Sequence, residues 1–334
     1  MSETFMKQTG VRIPLICGAM YPCSNTELMS AVVSSGALAV VQPLSTVFAH
    51  KKDLRETLRH LAEVSDGGCV GFNALIEKSS KLYEDRMRAW VDIALEEGVG
   101  FFVTALGNPR WVVEKAHAAG AVVYHDVTER KWALKALEGG VDGLICVNGR
   151  AGGHAGATPM EELYESLADL GVPLVAAGGV GTPEQYVEAL KLGYEAVQMG
   201  TRFIATRECT AHEDYKQAIV DAEEDDIVLT KRISGVPVSV IETDFVRKVG
   251  TEVGPIARRL LQSPRFKHWV RSYYAARSVW SLARGATRDG GYNDYWQAGK
   301  SVSGIDEVIS VVQVVEEFGA AYREYAEAAE ETAG

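Results

Sequence analysis

Short apolar runs, many of them β-branched, alternate with amphipathic stretches from residue 11 to about residue 205. The runs fall at 13–18, 37–42, 69–75, 100–106, 121–127, 143–147, 173–177 and 196–199. Each is short and bounded by turn residues, which reads as a strand rather than a buried helix. Between them, helical periodicity covers 24–35, 53–64, 81–97, 109–119, 128–137, 159–170 and 183–192. Ser24 can cap the first helix, and Pro109, Pro159 and Pro183 are each expected at a first helical position. Eight strand–helix steps, spaced by 21 to 32 residues, imply a parallel sheet, because each return needs a crossover helix. The runs are apolar almost throughout, as expected of strands covered on both faces. Eight such units suit closure into a barrel. A doubly wound sheet with a dinucleotide site would need GxGxxG after the first strand. The sequence there is Cys17-Gly18-Ala19-Met20-Tyr21-Pro22. The expected fold is therefore α/β, a (β/α)8 TIM barrel with a smaller, mainly helical inserted domain near the C-terminus.

The rhythm stops after Thr206. Residues 1–206 and 290–334 are assigned to the barrel, and 207–289 to the insertion, where no strand–helix period is visible. Within it, Phe266, Trp269, Val270, Tyr273 and Trp280 recur at roughly helical spacing, predicting an amphipathic helix over 265–284. A helical pattern over 305–318 returns to the barrel. The alanine- and glutamate-rich tail from Gly319 reads as a solvated helix.

Charge narrows the function classes. The 334 residues carry a net charge of −11, which argues against nucleic acid or an anionic membrane as partner. No apolar run is long enough to span a membrane, and the polar start lacks a signal-peptide core, so a cytoplasmic enzyme is expected. The five cysteines include no CxxC pair, which disfavours a zinc site or a disulfide framework. Cys17, Cys69 and Cys146 read as buried small hydrophobes, as does Cys23 in its turn. Between Val253 and Arg288 there are eight Lys or Arg and no Asp or Glu. This local reversal steers an anionic substrate, forms a subunit contact, as in a homodimer, or is a basic face paired with the acidic run Glu223-Glu224-Asp225-Asp226.

The candidate chemistry lies where the strands end, since barrel active sites are built from those loops. Strand 6 runs into Asn148-Gly149-Arg150-Ala151-Gly152-Gly153-His154-Ala155-Gly156, four glycines around one histidine. Open backbone beside a group that titrates near neutrality suits acid–base work. Gly178 and Gly179 after strand 7, and Gly200 with Thr201 after strand 8, suit a phosphate site, with the helix from Pro183 adding its positive end. Asn73 and the Ala19-Met20 turn face the same mouth. His125-Asp126 reads either as an orienting dyad or as a strand-end cap. No histidine pair has metal-ligand spacing.

Taken together these segments resemble the nitronate monooxygenase family, also called 2-nitropropane dioxygenase-like, over almost the whole chain. Gly18-Ala19-Met20 looks like its Ala-Pro-Met turn beside the flavin, and Ala151-Gly152-Gly153-His154 is similar to its AGGH motif. Ala177-Gly178-Gly179 and Met199-Gly200-Thr201-Arg202-Phe203 look like its phosphate loops. Ser234-Gly235-Val236-Pro237 and Ala298-Gly299-Lys300-Ser301-Val302 are similar to further family segments. Ala19, Asn148, Arg150 and Lys300 depart from the family's usual residues. The resemblance implies FMN as cofactor, His154 as catalytic base, and Ala19, Met20, Asn73, Gly152, Gly153, Ala177, Gly178, Gly179, Gly200 and Thr201 around the flavin. It implies oxidation of a small anionic substrate, an alkyl nitronate, or of a neutral nitroalkane, with O2 as acceptor. The alternative is an FMN-dependent NAD(P)H oxidoreductase reducing a quinone or an enoyl thioester. A barrel that binds a phosphorylated metabolite without redox chemistry is a third reading.

Overall fold

The computed structural model describes residues 4–65, 67–77, 80–233, 237–252 and 295–333. The basic segment 253–288, the helix expected over 265–284 and the Ser234-Gly235-Val236 part of one family segment lie outside the described residues. The chain enters through α1 (Thr4–Thr9), then β1 (Leu15–Cys17), α2 (Thr26–Ser34), β2 (Leu38–Val41), α3 (Leu54–Val64), β3 (Gly71–Ile76) and α4 (Lys81–Glu96). The alternation continues through β4 (Phe101–Leu106), α5 (Arg110–Ala118), β5 (Val122–Val127), α6 (Arg130–Glu138), β6 (Gly143–Val147), α7 (Met160–Leu167), β7 (Leu174–Ala177), α8 (Pro183–Leu192) and β8 (Ala196–Met199). All neighbouring strands pair in parallel, and β8 pairs with β1, closing the barrel. The expected (β/α)8 fold is the one found.

Period-2 alternation divides the strand residues between two cores. Ile16, Leu38, Val40, Phe101, Val103, Tyr124, Ile145, Val175, Ala177 and Ala196 fill the barrel interior. Phe5 of α1 plugs its lower end, with ring centroids 5.9 Å from Phe101 and 6.1 Å from Tyr124. Burying one such aromatic stabilises the fold by about 1.5–3 kcal/mol. The alternate positions, among them Phe72, Phe102, Val123, Cys146 and Val197, face the helices instead. Cys17 and Cys146 are wholly buried there with Cys23, and Cys69 is half-buried against the interior cluster.

The helices start where local chemistry supplies caps. Asp53 accepts from the Glu56 N–H at 2.9 Å to open α3, and Thr182 and Gln185 form a capping box on α8. Only Pro183 takes the first helical position. Pro109 and Pro159 stand one residue earlier, at the N-caps of α5 and α7.

After β8 come α9 (Thr201–Ile204), α10 (Glu213–Asp221), β9 (Ile227–Thr230), β10 (Val238–Ile241) and α11 (Asp244–Val249). The strands β9 and β10 form an antiparallel pair, so the segment read as helices and loops contains a hairpin as well. It has its own small core of Ile233, Val238, Val240 and Val246. The final helix, α12 (Val311–Ala333), starts later than expected and runs on through the tail. Val311, Val314, Val315 and Phe318 bury its inner face, with Phe318 5.5 Å from Tyr186 of α8 between ring centroids.

Candidate active site

Parallel closure puts all eight carboxyl ends on one rim. The same alternation that fills the interior points the last inward residue of each strand at this mouth. On β3 that includes Asn73, between the outward Phe72 and Ala74. On β5 it is Asp126, two residues beyond Tyr124, and on β8 Gln198, two beyond Ala196. The Asp126 Oδ1 and Gln198 Oε1 atoms are buried and take no hydrogen bond among the described residues. A buried acceptor left unmatched costs about 1–3 kcal/mol. Two of them at one mouth mark a place that a polar ligand completes. Neither residue was singled out for the flavin site from sequence, although alternation from the buried apolar positions points both inward.

The glycine corners lie on adjacent strands of this rim. Gly178 and Gly179 follow β7 with φ of +111° and +78°, a region that side chains resist. A Cβ on Gly178 would sit 2.6 Å from the Ala151 amide nitrogen, and one on Gly179 would sit 2.6 Å from Arg150 Nε. These glycines therefore bring the histidine loop down onto the β7 corner. Gly200 is different: its Cβ would meet only Met20, at ordinary contact distances of 3.4 and 3.6 Å. Among the described residues no hydrogen bond takes the backbone N–H of Gly179 or Gly200. Thr201 is buried, and its Oγ1 accepts from the Gly299 N–H at 3.0 Å, leaving the hydroxyl proton to donate elsewhere. The start of α8 is not available to an anion in the way its sequence suggested. Gln185 Oε1 already accepts from the Gly181 and Thr182 amides at 2.8 and 3.3 Å. Arg202 is buried, and its guanidinium donates to the Ala205 and Glu307 carbonyls at 2.6 and 2.7 Å, so it braces α9 rather than the corner.

The histidine loop is held from three sides. Asn148, fully buried, donates from Nδ2 to the Gly178 carbonyl at 2.9 Å, and its Oδ1 accepts from the Arg150 N–H at 2.8 Å. Gly152 and Gly299 face each other so closely that a Cβ on Gly299 would lie 2.6 Å from the Gly152 nitrogen. The Lys300 N–H donates to the Arg150 carbonyl at 2.9 Å, and β10 reaches in as the Ser239 N–H donates to the Gly153 carbonyl at 2.8 Å. Asn148→Ala removes both side-chain bonds and leaves buried partners unmatched. It is expected to cost about 2–4 kcal/mol, read as a lower denaturation midpoint with an unchanged slope. An unchanged midpoint would show that the loop is held without Asn148.

His154 is open to solvent in the mouth, yet the protein packed around it lowers its pKa below the ordinary histidine value. The ring therefore stays neutral, and able to accept a proton, at neutral pH. His125 and Asp126 do not form a dyad. Adjacent strand residues face opposite ways, and His125 Nδ1 bonds Thr104 Oγ1 at 2.8 Å on the outer face, where burial lowers its pKa to about 4. Met20 spends its backbone on its own turn, donating to Ser24 Oγ at 2.9 Å and accepting from Ser45 Oγ at 3.4 Å. What it offers the mouth is its side chain, against Gly200. Ala19 packs against the interior cluster. The Arg150 guanidinium makes a two-pronged ion pair with Glu224, which also accepts from Ser303 Oγ at 3.3 Å. That pair ties the loop to the segment after α10. A hollow of about 290 Å³ opens elsewhere, beside α4 and α5, lined by Met87, Arg88 and Trp111 among others. It contains none of the orphaned acceptors, so we place the chemistry in the barrel mouth.

Comparison with known proteins bears on the family and the fold. The sequence profile of the family described as nitronate monooxygenase matches residues 2–320. A dehydrogenase of Mycobacterium tuberculosis, named for a 5-hydroxy-7a-methyl-1-oxo-octahydro-1H-indene-4-carboxyl-CoA, is 27% identical over 77% of this chain and 72% of its own. A probable nitronate monooxygenase of Staphylococcus saprophyticus is 27% identical over 72% of this chain and 78% of its own. Among solved structures, FabK from Thermotoga maritima superposes with a TM-score of 0.80 at 26% identity, over 99% of both chains.

Proposed function

This chain belongs to the nitronate monooxygenase family, a family of flavin-dependent oxidoreductases, and from that premise we propose that it holds FMN in the barrel mouth and oxidises alkyl nitronates, and neutral nitroalkanes, with O2. One observation carries the reading: two buried acceptors without partners and two unused corner amides surround a single mouth, beneath the loop that bears His154. FMN needs both kinds of group, amide donors for its phosphate and polar side chains for its ring. The residues present fit it.

FMN, when bound, supplies the electron transfer. The Gly178, Gly179, Gly200 and Thr201 corners would hold its phosphate by backbone N–H groups and the Thr201 hydroxyl. Ala177, Asn73, Gln198, Ala19, Met20, Gly152 and Gly153 would line the ring. Gln198 is polar and inward, and its carboxamide gains a partner there. His154 accepts the α-proton of a neutral nitroalkane at an imidazole nitrogen. Toward a preformed nitronate, the same ring hydrogen-bonds the substrate oxygens.

Anaerobic mixing of the flavin-loaded protein with ethylnitronate tests this. Bleaching of the flavin, with O2 uptake once air is admitted, is the expected result. An unbleached flavin and no O2 uptake remove the reading. The second reading, oxidation or reduction of an acyl-CoA thioester, is favoured by the mycobacterial relative named for a carboxyl-CoA substrate. Rapid anaerobic bleaching by NADH or NADPH, with none by nitronate, would favour it.

A further inference from the structure

The barrel interior contains a carboxyl group, one of the two unmatched acceptors at the mouth, to which the scheme above gives no role of its own. Asp126 is the last inward residue of β5, on the strand next to the one that leads into the histidine loop. Its Oδ1 is buried and takes no hydrogen bond among the described residues. Its surroundings are apolar: β4 presents Val103 and Ala105, β6 presents Ile145 and Val147, and Tyr124 lies below it on β5. The titratable groups near it are few. Cys146 of β6 senses its charge, with a thiol pushed up mainly by burial. His125 is turned to the outer face, and His154 stands on the loop after β6. Among the described residues no cation is close enough to perturb Asp126, and burial raises its pKa to about 7. A carboxyl aimed into a ligand cavity, with no donor to satisfy it, must either stay unmatched or keep its proton and use it.

We propose that Asp126 is a proton-bearing hydrogen-bond donor to an anionic or carbonyl oxygen lodged in the barrel mouth, from the flavin ring or from the substrate anion. The role complements His154: one group enters the mouth as a donor and the other as an acceptor. This inference rests on the proposed function only for what fills the mouth. Donation is lost when the carboxyl ionises, and the ionised form then repels a nitronate. The KM for ethylnitronate is thus expected to rise with pH through 7. Asp126→Asn keeps a donor and loses that pH dependence. Asp126→Ala raises KM about tenfold at pH 6, the equivalent of one charge-assisted hydrogen bond.

The direct test is infrared spectroscopy of the apoprotein, with FMN and then nitrate added in separate arms. Nitrate is a planar oxyanion with no α-proton. A protonated-carboxyl band that titrates near pH 7, is absent from Asp126→Asn and shifts on adding FMN supports the proposal, with the ring as acceptor. A shift only on adding nitrate to the FMN-loaded protein supports it with the substrate anion as acceptor. A band that neither ligand moves, or no protonated carboxyl at pH 6, overturns it. The ligand arms use the unaltered chain, so a variant that fails to fold leaves the test standing. If FMN shifts the band while ethylnitronate fails to bleach the flavin, the nitronate reading falls and this one survives.

Stability against pH gives an independent readout. A carboxyl with a folded pKa raised above its unfolded value of about 3.9 costs nothing below that value, and stability is lost as pH rises from there through about 7. The thermal midpoint of Asp126→Asn should match the parent near pH 4, exceed it increasingly up to pH 7, and keep a constant lead above. A lead that does not change between pH 4 and pH 8 contradicts a buried, proton-holding Asp126.

Discussion

Turnover of neutral nitroethane is expected to fall by about 10²–10⁴-fold in His154→Asn, the range for removing a positioned general base. Oxidation of preformed ethylnitronate should fall much less, by about tenfold or under. Asparagine occupies similar space and hydrogen-bonds, but it cannot accept a proton at any accessible pH. A nitronate arrives already deprotonated and asks only for a hydrogen bond. The contrast between the two substrates thus separates a base from a residue that merely lines the mouth. The Asn148 side-chain bond and the close Gly152–Gly299 approach that hold the loop on the barrel are left untouched by the change. The pH profile adds a sign. Crowding lowers the His154 pKa, and a base works only when unprotonated. Nitroethane turnover should therefore persist at pH values below the ordinary histidine pKa of about 6.5 and be lost as pH falls further. Equal losses for both substrates would reassign His154 from base to positioning group. Unchanged nitroethane turnover would remove it from the chemistry.

The second large effect is expected at Gly200. A side chain fits there, since its Cβ would touch only Met20 at ordinary distances. Gly200 is also the N-cap of α9, a position that aspartate favours. Gly200→Asp should therefore fold as well as the parent or better. Its carboxylate, however, would take the donors that a phosphate needs and repel the phosphate itself. FMN affinity is expected to drop at least about a hundredfold, roughly 2.7 kcal/mol, in a fluorescence-quenching titration, with thermal stability of the apoprotein kept. Gly178 could not serve this purpose. Its positive φ and its contact with Ala151 mean that any side chain would distort the loop before a ligand was tested. Retained FMN affinity in folded Gly200→Asp would place the phosphate elsewhere.

Sequence conveyed the barrel well because the physics there is repetitive. Each strand is a short apolar run bounded by turns, several helices open on a side-chain cap, as at Asp53, Ser80 and Thr182, and the spacing leaves room for one crossover. Gly143–Val147, Ala196–Met199 and Pro183–Leu192 are found with the bounds read from the chain. The hairpin of β9 and β10 was missed for the opposite reason. It has two strands of four residues each, β9 partly exposed, with Leu229 mostly so, and β10 buried throughout, and runs that short carry little periodicity. At the site, the glycines at 178 and 179 were legible as special, but not what crowds them. Contact with Ala151 and Arg150 depends on how two distant loops pack. Arg150 illustrates the same limit. In the sequence it stands out only as a departure from the family's usual residue, and it is Glu224, 74 residues away in sequence, that holds its guanidinium. Gln198 was hidden in a run read as apolar on both faces, and Asp126 was noticed only beside His125, as a dyad partner or a cap, though the alternation that buries Tyr124 and Ala196 already turned both inward.

The account stands on the phosphate grip at the β7 and β8 corners, and one comparison tests it most directly. The apoprotein is titrated with FMN and, separately, with riboflavin, which carries the same ring without the phosphate. FMN is expected to bind at least about a hundredfold tighter. Equal affinity for the two would mean that the corners hold no phosphoryl group, and the arrangement of ring and imidazole derived from them would have to be abandoned.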